Sequence, residues 1–201
     1  MTAPYRLADR GQTLPLYIWL TGILLFAAIA FFVFAQAASA RNGAQSAADA
    51  AALAAAQDTR DELMTDLQGA IGQDDDWTKW LSGQDAQGAG ASAAAAQLAA
   101  ANDSTVLSIA PTVVNGYPGY QVAIETRYTV GKSIIPGTET RRARAEAIAV
   151  IEPRCTFPTD ADPKRLVHLD CDGQSVDIDP AHFRSDDLPD ASVLFSVHLA
   201  K

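Results

Sequence analysis

The spacing of apolar and polar residues changes character twice along this chain. From Leu14 to Gln36, "LPLYIWLTGILLFAAIAFFVFAQ", about 23 positions pass without a charge. At 1.5 Å per residue, a helix of that length covers roughly 34 Å, enough to cross the hydrocarbon core of a bilayer. Pro15 stands where a helix tolerates a missing N–H, and Tyr17 and Trp19 fall at interfacial depth near one end. From Ala44 to Leu67 the residues become Ala, Gln, Asp, Leu, Arg and Glu without proline, which predicts that the helix continues. Ala37, Ala40, Ala44, Ala47, Ala51 and Ala55 recur at spacings of three and four and form one smooth ridge. Small side chains in such a row let another helix or a sheet approach closely, so these six are the candidate helix-packing residues.

"GAIGQDDDWTKWLSGQDAQGAG" interrupts the helical pattern, and Trp77 and Trp80, three apart, predict a short helical turn packed on the core. "ASAAAAQLAAAND" reads as a second short helix with Asn102 at its C-terminal end. From Thr105 the period is two. "TVLSIA", "YQVAIETRYTV" and "RRARAEAIAVI" predict three strands of an antiparallel meander, joined by turns at "NGYPG" and "IIPGTE". In the second, Tyr120, Val122, Ile124, Tyr128 and Val130 share a face; in the third, Ala143, Ala145, Ala147 and Ala149 oppose Arg142, Arg144 and Glu146. "RLVHLD", "SVDID" and "SVLFSVHLA" predict shorter strands beyond.

The expected fold class is therefore α+β: a long N-terminal transmembrane helix continuing into an extracytoplasmic helix, then a small antiparallel β-sheet domain. The divisions are a cytoplasmic N-terminus at 1–13, a transmembrane helix at 14–36, its continuation at 37–68, a linker with a short helix at 69–103, and a β-rich domain at 104–201. Arg6 and Arg10 precede the apolar run while the sequence after Arg41 turns acidic, which sets the N-terminus inside and the rest outside a single-pass membrane protein. The rival reading is a signal peptide cut after Ala40, because Ala38-Ser39-Ala40 has the small-x-small form a signal peptidase accepts; it would release a soluble binding protein. The apolar run is longer than an ordinary signal core, which favours retention.

A net charge of −9 argues against a nucleic-acid partner, since phosphate binding needs concentrated Lys and Arg. Cys155 and Cys171 are the two cysteines. Outside the cytosol they would form a disulfide closing a loop of about 15 residues. No nucleophile elbow, phosphate loop, zinc-ligand pair or dinucleotide fingerprint occurs, so neither an enzyme nor a cofactor is implied. His168, His182 and His198 are isolated and read as surface histidines. Asp170, Asp172, Asp177 and Asp179, followed by Asp186, Asp187 and Asp190, lack the spacing of a calcium loop and read as solvated charge. A hydrolase would require a histidine and several aspartates brought together in one cleft.

"RNGAQSAADAAALAAA", directly after a single apolar helix and an N-terminal "RGQTLPLY", resembles the Tad pilus-assembly proteins TadE and TadG, in particular the actinobacterial TadG-related type. "AAAAQLAAAND" before a strand and the closing "LFSVHLA" are similar to that group as well. The resemblance implies a pilin-like fold and a non-catalytic minor-pilin-like or accessory component of a Flp/Tad pilus apparatus. It also implies the lipid bilayer and other pilus or pseudopilin subunits as partners, and leaves homo-oligomerisation open. Processed pilins of this kind carry Glu five residues after a cleaved glycine, whereas Leu16 stands five after Gly11 here. A permanently anchored role needs no such cut.

Overall fold

The computed structural model describes residues 13–74, 76–83, 87–129 and 140–200. One helix, α1, runs unbroken from Thr13 to Ala70, roughly 87 Å at the usual helical rise. Gly72, at φ 77°, turns the chain away from it, and a Cβ there would meet the carbonyl of Pro180. A short 3-10 turn at Trp77–Ser82 follows, with Trp77 fully buried and its indole N–H donating to the Pro163 carbonyl at 2.8 Å. Helix α2, Ala91–Ala101, ends at Asn102, as its sequence predicts.

Strands β1 (Ser104–Val114), β2 (Tyr117–Thr129) and β3 (Arg142–Pro153) form the antiparallel meander, and β7 (Phe195–Ala200) adds to its far edge to give the order β1-β2-β3-β7. Asn115 and Gly116, both at positive φ, make the two-residue turn between β1 and β2. The turn expected at "IIPGTE" lies outside the described residues. At the other end of β2 the register slips between Glu125 and Thr129. There the buried Thr126 fills the gap in the ladder: its hydroxyl accepts from the Ala143 N–H and donates to the Tyr128 carbonyl. β1 is an edge strand blunted by Pro111 and by a bulge at Leu107.

The shorter strands divide differently from the expectation. Only the last returns to the meander; β4 (Cys155–Thr156), β5 (Val167–Cys171) and β6 (Gln174–Ile178) build a separate three-stranded sheet. The start of "SVLFSVHLA" is one helical turn, α3 (Ala191–Leu194), capped by the Asp190 carboxylate on the Ser192 N–H. Arg154 holds the junction. Its backbone N–H donates to the Leu194 carbonyl, its Nε to Asp172 at 2.7 Å and its Nη1 to the Ser192 carbonyl at 2.8 Å.

The core is a tapered seam between α1 and the inner face of the meander. Ala44, Ala47, Ala48, Ala51, Ala52, Ala55 and Ala56 of the helix and Ala147 and Ala149 of β3 are buried together, small against small, so the helix lies close to the sheet. Farther along, Leu63 and Leu67 meet bulkier partners, Ile151 and Phe195 among them.

Candidate functional site

Two halves of α1 do different work. Ala40 is the first residue of the helix to be buried, at 6 % exposure; everything before it is exposed or partly so. Leu14, Leu16, Ile18, Leu24, Phe26 and Phe31 project into solvent, and Trp19 is 74 % exposed. An isolated apolar surface of this extent, on every side of the helix, needs a non-aqueous surrounding. Among the described residues α1 is the one helix long and apolar enough to cross a membrane.

The alanine ridge lies mostly in the second half. Ala44, Ala47, Ala51 and Ala55 lie in the core shared with the chain's own sheet and α2, Ala40 is buried just before it, and Ala37 is exposed in the apolar half. Four of the six candidate packing residues thus lie in the molecule's own core. Ala48, Ala52, Ala54 and Ala56, which the spacing rule left out, are buried too, because the helix is gripped from two sides, by the meander and by α2. The width of the buried arc was readable from the alanine content; its partner was not.

Helix and sheet are held in register at two levels. Near the start of the buried half, Tyr128 of β2 lays its hydroxyl against Gly43, where a Cβ would collide with it. Sixteen residues further on, Thr59 meets the Tyr120 hydroxyl at 3.2 Å. β2 therefore runs antiparallel to α1 and β3 parallel to it, so the end of the pair where β2 finishes and β3 begins lies beside the point where the apolar half of the helix meets the domain. The second sheet lies at the opposite end, where Gly72 approaches Pro180 and Trp77 reaches Pro163.

Cys155 and Cys171 are joined by a disulfide and are direct partners across β4 and β5. The bridge thus sits inside the second sheet. Asp172 and Gly173, at φ 52° and 85°, are the two-residue turn between β5 and β6. The Asp-Gly pair inside "DCDGQS" was the available signal for that hairpin, masked by its appearance as an acidic run.

The outer face of the second sheet gathers His168, Asp170, Ser175 and Asp177 around a shallow depression of about 460 Å³. His168 Nδ1 and Asp177 lie 2.7 Å apart as cross-strand partners. This is the juxtaposition a hydrolase would require, but without its enclosure. Both side chains are more than half exposed, and catalytic electrostatics depend on a site from which water is kept out. His182 pairs with Asp179 at 2.9 Å, and that contact, with the Ala181 N–H, holds the Asp179 carboxyl below its ordinary pKa. His198 lies beside Ser196 and Glu152. All three histidines are surface residues paired with acidic or hydroxyl neighbours. Among the described residues no group of three His, Cys, Asp or Glu side chains is placed to hold a metal ion.

No curated protein and no solved structure matches the chain. A family description does: residues 11–58 match the putative Flp pilus-assembly TadE/G-like family, a stretch covering the exposed apolar half of α1 and most of its alanine-lined half. With the apolar helix, the match points to a membrane-anchored, pilus-related protein. What the chain shares with the putative Flp pilus-assembly TadE/G-like family is this N-terminal segment, residues 11–58.

Proposed function

We propose that this protein is a non-catalytic, single-pass component of a Tad/Flp-type pilus assembly system, minor-pilin-like or accessory. In this reading residues 14–36 stay in the bilayer with the N-terminus in the cytoplasm, and the α+β domain stands outside. It works by burying surface against other pilus or pseudopilin subunits. The observation that carries the reading is the continuity of α1: the rod that needs a bilayer is the same helix that forms the spine of the folded domain, with no break between them. A rigid connection of this kind transmits the orientation of the membrane segment directly to the sheet. The disulfide suits an oxidising compartment, and the arginines before the apolar run suit a cytoplasmic N-terminus.

The test is protease accessibility in intact cells of the native host, combined with detergent extraction of their membranes. The reading expects an antibody against the C-terminal domain to lose its signal when protease is added outside. It expects the untreated chain to leave the membrane pellet only with detergent. Protection of the domain until the cells are lysed reverses the orientation; a soluble product beginning at Arg41 replaces the anchor with secretion after Ala40. Co-purification of pilus-apparatus proteins with the extracted chain tests the assembly role, and extraction without them counts against it.

A further inference from the structure

The chain is acidic overall, yet its arginines are not spread evenly. Arg41 follows the apolar half of α1 directly. The contact of Tyr128 with Gly43 brings the end of β2 and the start of β3 to the same level, and with them Arg127, Arg141 and Arg142, all exposed. Arg144 stands one row farther along β3.

These guanidiniums are poorly neutralised. Glu125 is shared by two of them, Arg144 at 2.8 Å and Arg142 at 3.7 Å. Arg127 Nε reaches the Thr105 hydroxyl, and neither it nor Arg41 nor Arg141 has a carboxylate partner among the described residues. Asp103 lies in the same row, its carbonyl accepting from the Arg127 N–H. The aspartates of the second sheet and its loops lie at the far end, about 50 Å from Gln36 along the helix.

The height of the rim matches a lipid headgroup layer. Arg41 is five residues beyond Gln36, about 8 Å of helix, and the headgroup region adds roughly 5–8 Å to each side of the hydrocarbon core. Charges at that depth lie within about one Debye length of the lipid phosphates at physiological salt. Tyr128, exposed beside Gly43 of the helix, is of the type that collects at this interface.

We infer that Arg41, Arg127, Arg141 and Arg142 form a basic rim that binds anionic lipid headgroups and fixes the attitude of the domain on the bilayer. The inference rests on the anchored reading of residues 14–36.

The experiment uses the full chain with its disulfide intact and a Thr140→Cys substitution carrying a fluorophore. The chain is reconstituted into vesicles of phosphatidylcholine alone or of phosphatidylcholine with phosphatidylglycerol, each carrying a headgroup quencher. Flotation is read first: failure to float with either vesicle overturns the anchor itself. With flotation established, the rim predicts stronger quenching in the anionic vesicles, lost at high salt. It also predicts loss of the difference in an Arg127→Gln, Arg141→Gln, Arg142→Gln variant and its retention in Arg165→Gln at the far end. Equal quenching in both vesicles, or an unchanged difference in the triple variant, overturns the rim and leaves the anchor standing.

Discussion

The hydroxyls of Thr59 on α1 and Tyr120 on β2 meet at 3.2 Å inside the seam between helix and sheet, with Thr59 1 % and Tyr120 9 % exposed. Thr59 also lies 3.0 Å from the Ala55 carbonyl. A hydroxyl carries one proton, so the consistent arrangement has Thr59 donating to Ala55 and Tyr120 donating to Thr59. The two substitutions are therefore unequal. Thr59→Val keeps the shape but leaves the buried Tyr120 hydroxyl without its acceptor, costing about 1–3 kcal/mol. Tyr120→Phe leaves Thr59 bonded to Ala55 and costs about 1 kcal/mol or less. Denaturant titration of the detergent-solubilised full chain gives both values, and the reverse ranking contradicts this assignment.

Gly119 faces Val150 across β2 and β3 with no space for a side chain: a Cβ there strikes the Ala149 carbonyl and the Val150 Cα. Backbone cannot swing aside as a side chain can. Gly119→Ala should destabilise by about 2–4 kcal/mol, near the upper end for single substitutions. Gly116→Ala, at the open β1–β2 turn where nothing lies near, is strained only by its φ of 87° and should cost less. The same titration compares them.

The disulfide joins two strands of the second sheet, whose Val167, Leu169, Val176 and Ile178 extend the buried cluster of the helix and the meander at its far end. Cys155→Ala with Cys171→Ala releases a loop of about 15 residues and should cost roughly 3 kcal/mol in the loop-entropy account. Amide exchange should rise first in β5 and β6, while β2 stays protected. Uniform loss of protection across both sheets would show that the second sheet does not open separately.

Asp190 caps α3. The Ser192 N–H, then the Ser192 hydroxyl, and the attraction of Arg60 lower its carboxyl pKa below the ordinary 3.8, against the smaller opposing effect of desolvation. A depressed folded-state value means that the cap contributes fully above the ordinary carboxylate pKa and loses its contribution as pH falls through the lowered one. Carbon-detected NMR titration should find Asp190 titrating below an unstructured aspartate, and Asp190→Asn should flatten the acid dependence of α3. An ordinary titration at this residue contradicts the cap.

Local pattern carried much of the architecture. The charge-free run, the alanine continuation, the Trp77 turn, α2 with Asn102 and the three-strand meander all follow from short-range periodicity, because each element buries one face and its sequence repeats at that element's pitch. What escaped depends on distant partners. Nothing local to "RLVHLD" or "SVDID" says that they leave the meander for a second sheet, a separation made at Pro153 and Arg154, where one guanidinium ties β7's lead-in to the β5–β6 turn. The alanine ridge was visible, but its use against β3 was not, because a smooth ridge accepts a neighbouring helix as readily as a sheet. The basic rim escaped for the same reason: Arg41 and Arg142 are about a hundred positions apart in the chain and become neighbours only when Tyr128 meets Gly43.

The central claim is that the apolar half of α1 remains joined to the half that forms the domain's spine. Ala38, Ser39 and Ala40, the residues a signal peptidase would read, lie inside that continuous helix, with Ala40 already buried. Intact-protein mass measurement on the chain purified from native membranes tests this most directly. The account predicts one species that retains residues 14–36 and is lighter by the two hydrogens of a closed disulfide than the fully reduced chain. A mature species whose mass begins at Arg41 would contradict it.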